Sequence, residues 1–236
     1  MNIAIIIAGG SGVRTHQDVP KQFLNVNNKP VIIYTMEAFQ AHPDIDAIEV
    51  VCLEGWQEIL KAYANQFNIT KLKWITVGGL NGQDSIRNGL EYIADEMNDD
   101  DIVLIHDAVR PMVSMDIISD CIVKTRQFGN ATSAISCNEA MLLTDNHVDS
   151  TKQVPRERIL RTQTPQGFKY GFLADAHKRA LEHGITSSVA SCTMMIELGE
   201  KVYFSIGSEK NFKITTTDDL EIFKALLKAE KDEWLK

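Results

Sequence analysis

Five charged side chains stand where this chain could handle phosphate: Arg14, Lys21, Asp107, Arg110 and Lys213. The first two flank a glycine loop, AGGSGVRTHQDVPK, that follows the apolar run at residues 3–8. Gly9, Gly10 and Gly12 lack a Cβ, so successive backbone N–H groups can close on an anion and form a nest. Cations at the two ends of such a loop suit a triphosphate. The established phosphate loops do not match. GxxxxGK[ST] needs a lysine directly after its second glycine, and Gly10 to Thr15 fails GxGxxG at the last position. From this loop alone, an ordinary glycine-rich turn with solvated charges is the plain alternative.

Two further segments carry the same chemistry. DIVLIHDAVRP (101–111) reads as a buried strand that ends at Asp107. A carboxylate at a strand's carboxyl end is placed to hold Mg²⁺, and an arginine three residues on can fork onto a phosphate. The plain alternative is a salt bridge inside a tight turn. NFKITTTDDL (211–220) sets Lys213 between an apolar strand and a helix start, another anion site. Here the alternative is a solvated lysine before a helix cap.

These residues need a scaffold, and the hydrophobic pattern supplies one. Short apolar runs predict strands over residues 3–8, 47–52, 72–77, 102–105 and 131–136. Helical periodicity fills 31–41, 56–67, 84–97 and 115–128. Strands that alternate with helices imply right-handed crossovers and an α/β fold with a mostly parallel sheet. In such sheets ligands lie beyond the carboxyl ends of the strands. The alternation breaks over 137–161, which predicts a protruding β-arm. Helices at 171–182 and 191–198, a strand at 201–205 and a helix at 218–228 follow, with Thr217 as the last N-cap. No repeat or linker interrupts the chain, so residues 1–236 read as a single domain with an arm.

Composition narrows the partners. The net charge of −8 argues against nucleic acid. The 3–8 run is too short to span a bilayer and no basic segment precedes it, so a cytoplasmic protein without membrane contact is expected. Cys52, Cys121, Cys137 and Cys192 are scattered, which suggests reduced core thiols rather than metal ligands.

Four motifs occur in order: AGGSGVRTHQDVPKQF, HDAVRP, QTPQGF and NFKITTTDDL. Together they give the chain a specific likeness over nearly its whole length. It resembles the cytidylyltransferases that make CDP-linked polyols from 2-C-methyl-D-erythritol 4-phosphate or ribitol 5-phosphate. The resemblance implies a Rossmann-like nucleotidyltransferase fold, CTP as donor, a polyol phosphate as acceptor, Mg²⁺ as cofactor and a homodimer with interlocking arms. It implies that Arg14, Lys21 and Lys213 stabilise the pentacoordinate phosphorus. Ala8, Gly9, Gly10, Gly12, Gly78, Gly79, Ser85 and Asp107 would bind the nucleotide, and Asp107 would also hold the metal. Arg110, Arg156 and Thr164 would bind the acceptor, with Arg156 reaching across the dimer.

The residue types agree with that chemistry. A phosphate oxygen attacking the α-phosphorus of CTP is already an anion, so no general base is needed. Cations and positioning lower the barrier. Some positions depart from the methylerythritol pattern. Glu139-Ala140 replaces an Asp-Thr pair, Ser188 to Ser191 replaces a Thr-Asp-acidic run, Gly82 replaces an arginine, and HDAVRP replaces HDAARP. They tilt the acceptor toward ribitol 5-phosphate or a related pentitol phosphate, as for wall or capsule polymers. Methylerythritol phosphate, for isoprenoid synthesis, is the alternative. A nicotinamide oxidoreductase would want a complete GxGxxG and an acidic residue about 20 residues on. A silent nucleotide-binding protein would bind CTP and release no pyrophosphate.

Overall fold

The computed structural model describes residues 1–10 and 19–231. Gly12 and Arg14 lie outside the described residues. In chain order the strands are β1 (Asn2–Ala8), the short pair β2 (Asn25–Val26) and β3 (Lys29–Pro30), β4 (Ala47–Cys52), β5 (Leu72–Val77), β6 (Ile102–Asp107), β7 (Asn130–Ser136), β8 (Met141–Leu143), β9 (Lys152–Val154), β10 (Leu160–Lys169) and β11 (Phe204–Ile206). The helices are α1 (Val31–Ala41), α2 (Gln57–Gln66), α3 (Gly82–Tyr92), α4 (Met115–Phe128), α5 (Tyr170–Glu182), α6 (Ser191–Glu197) and α7 (Thr217–Lys231).

One seven-stranded sheet runs β11-β7-β10-β6-β1-β4-β5. Its strands are parallel except β10, which is antiparallel to both neighbours. β1 is apolar from Ile3 to Ala8, and β4 is apolar but for Glu49, because helices cover both faces, the usual condition for a parallel sheet. On one face Ile6, Val50 and Leu104 pack with Ile32, Met36, Phe39 and Ile118 from α1 and α4. On the other, Ile5, Val51 and Val103 pack with Ile86, Leu90, Leu173 and Met194 from α3, α5 and α6. Emptying a site such as Leu104 to alanine would cost about 2–5 kcal/mol, since nothing there is free to collapse. A third cluster (Val26, Val31, Val109, Ile214, Leu220 and Phe223) seats α7 against the end of the sheet.

The mostly parallel α/β sheet expected from the sequence is present, with local corrections. Residues 160–169 were not expected to form a strand, yet β10 lies between β6 and β7. Its Gln163, Pro165 and Gly167 hide the strand pattern. Phe168, fully buried, pins its C-terminal half, and the register shifts between Thr162 and Gln166 around a cis Thr164-Pro165 peptide. The third helix stops at Tyr92 and passes into a 3-10 turn, Ala94–Glu96. The strand expected at 201–205 is Phe204–Ile206. The last helix is capped by Thr216, whose hydroxyl accepts from the Asp219 N–H at 3.3 Å, while Thr217 is already helical. The predicted arm contains the exposed hairpin β8-β9. All four cysteines are buried free thiols. Among the described residues, no helix is long and apolar enough to cross a membrane.

Candidate active site

The loops after β1, β5 and β6 open, with the middle of β10, into one cleft of about 840 Å³. Its two walls differ in chemistry.

The first wall is neutral and made by close backbone approach. A Cβ on Gly78 would lie 3.1 Å from the Gly9 Cα, so the loops after β1 and β5 touch here with no room for side chains. A Cβ on Gly79 would run into Asp84, 2.9 Å from its carbonyl carbon. The Gly79 N–H donates to Ser85 Oγ at 3.0 Å, and that hydroxyl donates to the Asn81 carbonyl at 2.8 Å. Asn81 in turn caps α3 by accepting from the Asp84 N–H at 2.9 Å. Buried Gln22 holds the glycine loop from beneath, donating to the Ala8 and Gly10 carbonyls at 2.8 and 2.9 Å. Gln83 ties this wall to the 185–190 loop, donating to the Ile185 carbonyl at 2.6 Å and accepting from the Ser188 N–H at 2.9 Å.

The second wall is charged. Asp107 ends β6, and its carboxylate accepts from Arg110 Nε and Lys213 Nζ, each at 2.9 Å. Lys213 is brought there because Ile214 is fully buried and its N–H donates to the Val109 carbonyl at 2.9 Å. Burial alone would raise the Asp107 carboxyl, but Lys213 and then Arg110 outweigh it and hold it down at about 2. His106 is fully buried, and burial pushes its imidazole down to about 4. Lys21 opens a 3-10 turn, Lys21–Phe23, on the same cleft.

The described residues among those singled out from sequence fall into three groups. Ala8, Gly9, Gly10, Lys21, Gly79, Ser85, Asp107, Arg110, Thr164 and Lys213 all line the cleft. Gly78 packs behind it against Gly9, so it shapes the wall instead of facing a ligand. Arg156 lies at the base of the exposed arm, donating to the Asn138 carbonyl at 3.2 Å, and does not line this chain's cleft. Gln22, Gln83, His106 and Asn211 were missed. Apart from the His106–Arg110 contact, their partners are distant in sequence, so no local pattern marks them. His177 and Ser191 also line the cleft, and neither side chain has a hydrogen-bond partner among the described residues. Burial, then the charge of Arg87, pushes His177 down to about 4.

For a metal, Asp107 is the sole acidic side chain lining the cleft among the described residues, where no group of three or more His, Cys, Asp or Glu converges. One ionised carboxylate fits a Mg²⁺ held chiefly by substrate phosphates and water. It does not fit an all-protein cage.

Residues 2–229 match the family model described as IspD, 2-C-methyl-D-erythritol 4-phosphate cytidylyltransferase. This chain is a member of that family. Its enzymes are nucleotidyltransferases, and so is this chain. Within the family it is 43% identical to a ribitol-5-phosphate cytidylyltransferase of Lacticaseibacillus paracasei, over 98% of this chain and 100% of that one. It is 37% identical to a 2-C-methyl-D-erythritol 4-phosphate cytidylyltransferase of Clostridium botulinum, over 96% and 97% of the two chains. Among solved structures, the Francisella tularensis 2-C-methyl-D-erythritol 4-phosphate cytidylyltransferase covers 95% of this chain and 99% of its own, with TM-score 0.78 and 28% identity.

Proposed function

We propose that this chain transfers CMP from CTP to ribitol 5-phosphate, giving CDP-ribitol and pyrophosphate. The observation that carries the acceptor is the 43% identity, over nearly the whole of both chains, to a protein named for that substrate. Ala140 and Val189, where the methylerythritol pattern has polar residues, support the same reading. Methylerythritol phosphate is the second reading, favoured by the family model and by relatives at 37% identity.

In this reading the neutral wall takes the cytidine and the charged wall takes the phosphates. The acceptor phosphate attacks the α-phosphorus in line. Two polyanions must meet, so the main barrier is charge repulsion, which Lys21, Lys213 and Arg110 offset. Arg14 would join them, as the family motif implies. His106 and His177 are held neutral at pH 7, and the anionic nucleophile needs neither as a base. Asp107 would hold Mg²⁺ together with the triphosphate, and the ion would supply charge shielding on the phosphates. Arg156, exposed on the arm, would serve the acceptor phosphate of a second subunit, which makes the working unit a homodimer. Four buried, unpaired thiols suit a reducing compartment, so the reaction is assigned to the cytoplasm.

The test is Mg²⁺- and CTP-dependent pyrophosphate release with ribitol 5-phosphate, methylerythritol 4-phosphate, glycerol 3-phosphate and arabinitol 5-phosphate. Turnover highest with ribitol 5-phosphate supports the proposal. Preference for methylerythritol phosphate replaces it with the second reading. Release with none of them overturns both.

A further inference from the structure

One buried side chain in the cleft has no place in the chemistry above and yet is bonded at both ends. His106 Nε2 lies 3.2 Å from the Arg110 carbonyl, and Nδ1 lies 3.0 Å from Thr164 Oγ1. A carbonyl only accepts, so Nε2 carries the proton and Nδ1 accepts from the Thr164 hydroxyl. The Thr164 oxygen also accepts from the Asp107 N–H at 3.1 Å. Arg110 Nε donates back to the Asp107 carboxylate, which closes a ring: Asp107, Thr164, His106, Arg110 and Asp107 again. Asn211, fully buried, braces the ring from the third side. Its Nδ2 donates to the Thr164 carbonyl at 2.8 Å, and its own carbonyl accepts from Arg110 Nη1 at 2.8 Å. Phe39 meets the imidazole edge-on, with ring centroids 5.0 Å apart, which removes the remaining freedom of the ring plane.

The elements that carry Asp107, Arg110 and Lys213 all meet this ring. β6 gives Asp107, the turn after it gives Arg110, β10 gives Thr164, and the loop before α7 gives Asn211 and, two residues on, Lys213. The antiparallel ladder between β10 and β6 ends at Gln166 and Ile105. The Thr164–His106 link carries the alignment of the two strands beyond it, into the turn.

We infer that His106 is a positioning residue for cytidylyl transfer: through Thr164 on one side and the Arg110 carbonyl on the other, it locks the turn that presents Asp107, Arg110 and Lys213 to the phosphates. This rests on the functional reading above. It also changes the role of Thr164, whose hydroxyl proton is committed to His106 and not to the acceptor.

The test compares Thr164→Val, which keeps shape and removes the hydroxyl, with Thr164→Ser, which keeps the hydroxyl. His106→Gln and the His106→Gln/Thr164→Val double variant complete a cycle. Loss of such a supporting bond should lower kcat about 10- to 100-fold in Thr164→Val and in His106→Gln, with the KM values for CTP and acceptor little changed. Thr164→Ser, which restores the hydroxyl, should recover most of the rate that Thr164→Val loses. The double variant should be no slower than the worse single, because both cut one link. Unchanged kcat in Thr164→Val, a rise confined to the acceptor KM, or losses that multiply in the double variant would overturn the inference. Histidine ¹⁵N NMR of the unsubstituted protein tests the link without turnover. A neutral ring protonated at Nε2 is expected for His106, and protonation at Nδ1 would overturn it. If the unsubstituted chain turns over no polyol phosphate, the functional reading fails, and the NMR arm still decides whether the link exists.

Discussion

Along one wall of the cleft Gly9 meets Gly78 backbone to backbone, and the Ser85 hydroxyl is engaged inside its own loop. Along the other, Arg110 and Lys213 each sit within hydrogen-bond distance of Asp107. The first wall offers shape and backbone groups, which suits an uncharged base and sugar. The second offers fixed charge, which suits phosphates whose charge redistributes during transfer. A fault in each should therefore appear in a different kinetic constant. Damage to the neutral wall should weaken nucleotide binding, and damage to the charged wall should slow the chemical step.

The largest effect is expected on the charged wall. Lys213→Ala and Lys21→Ala should each lower kcat by about 10²–10³, the usual cost of removing one preorganised charge or donor. Steady-state kinetics check this, with circular dichroism to show that the fold persists. A loss seen only in KM would mean that this wall binds and does not stabilise the transition state.

Gly79→Ala should come next. The new Cβ overlaps Asp84, and overpacking of this kind costs about 1–3 kcal/mol. If the loop moves to relieve it, the KM for CTP should rise about tenfold while kcat changes less. A variant that loses kcat alone would erase the distinction between the walls.

Arg156→Ala should have a smaller effect, confined to the acceptor KM, with no change in thermal midpoint. An exposed arginine on an arm contributes little to folding. Mixing this variant with Lys213→Ala chains should restore turnover if each arm serves its partner's cleft.

The last comparison concerns pH and stability, with the least effect on turnover. Asp107 has its folded pKa depressed, so its contribution to stability is present above the unfolded value and is lost as pH falls toward about 2. Glu49 behaves in the opposite sense. It is buried in β4, burial raises its carboxyl to about 8, and Thr76 Oγ1 donates to it at 2.7 Å. Its contribution is full below the unfolded value near 4.5 and is lost as pH rises toward 8. Glu49→Gln should therefore raise the thermal midpoint relative to the unsubstituted chain at about pH 9 and not at about pH 5. Equal shifts at both pH values would contradict the burial of an ionisable Glu49.

Much of the scaffold is written in local pattern. β4, β5, α1 and α4 begin and end where apolar runs, Pro30 and Gly129 say they should. Asp107 and Arg110 were readable because they follow the buried strand β6, and Lys213 because it stands just before a helix start. β10 was not readable, because Gln163, Pro165 and Gly167 give it the composition of a loop and its partners in β6 and β7 make it a strand. Gln22, Gln83 and Asn211 were invisible for a related reason. Each is a polar residue buried by bonds to backbone far along the chain, so its role exists only once the fold brings those groups together. Arg156 was readable only by family motif, since nothing in this chain's own cleft needs it.

The most direct measurement of the central claim is ³¹P NMR of CTP and ribitol 5-phosphate incubated with the unsubstituted protein and Mg²⁺. The expected result is loss of both substrate signals, with pyrophosphate and a new pair of diphosphate-ester signals appearing in equal amounts. CTP left intact, or hydrolysed to CMP with ribitol 5-phosphate untouched, would contradict it.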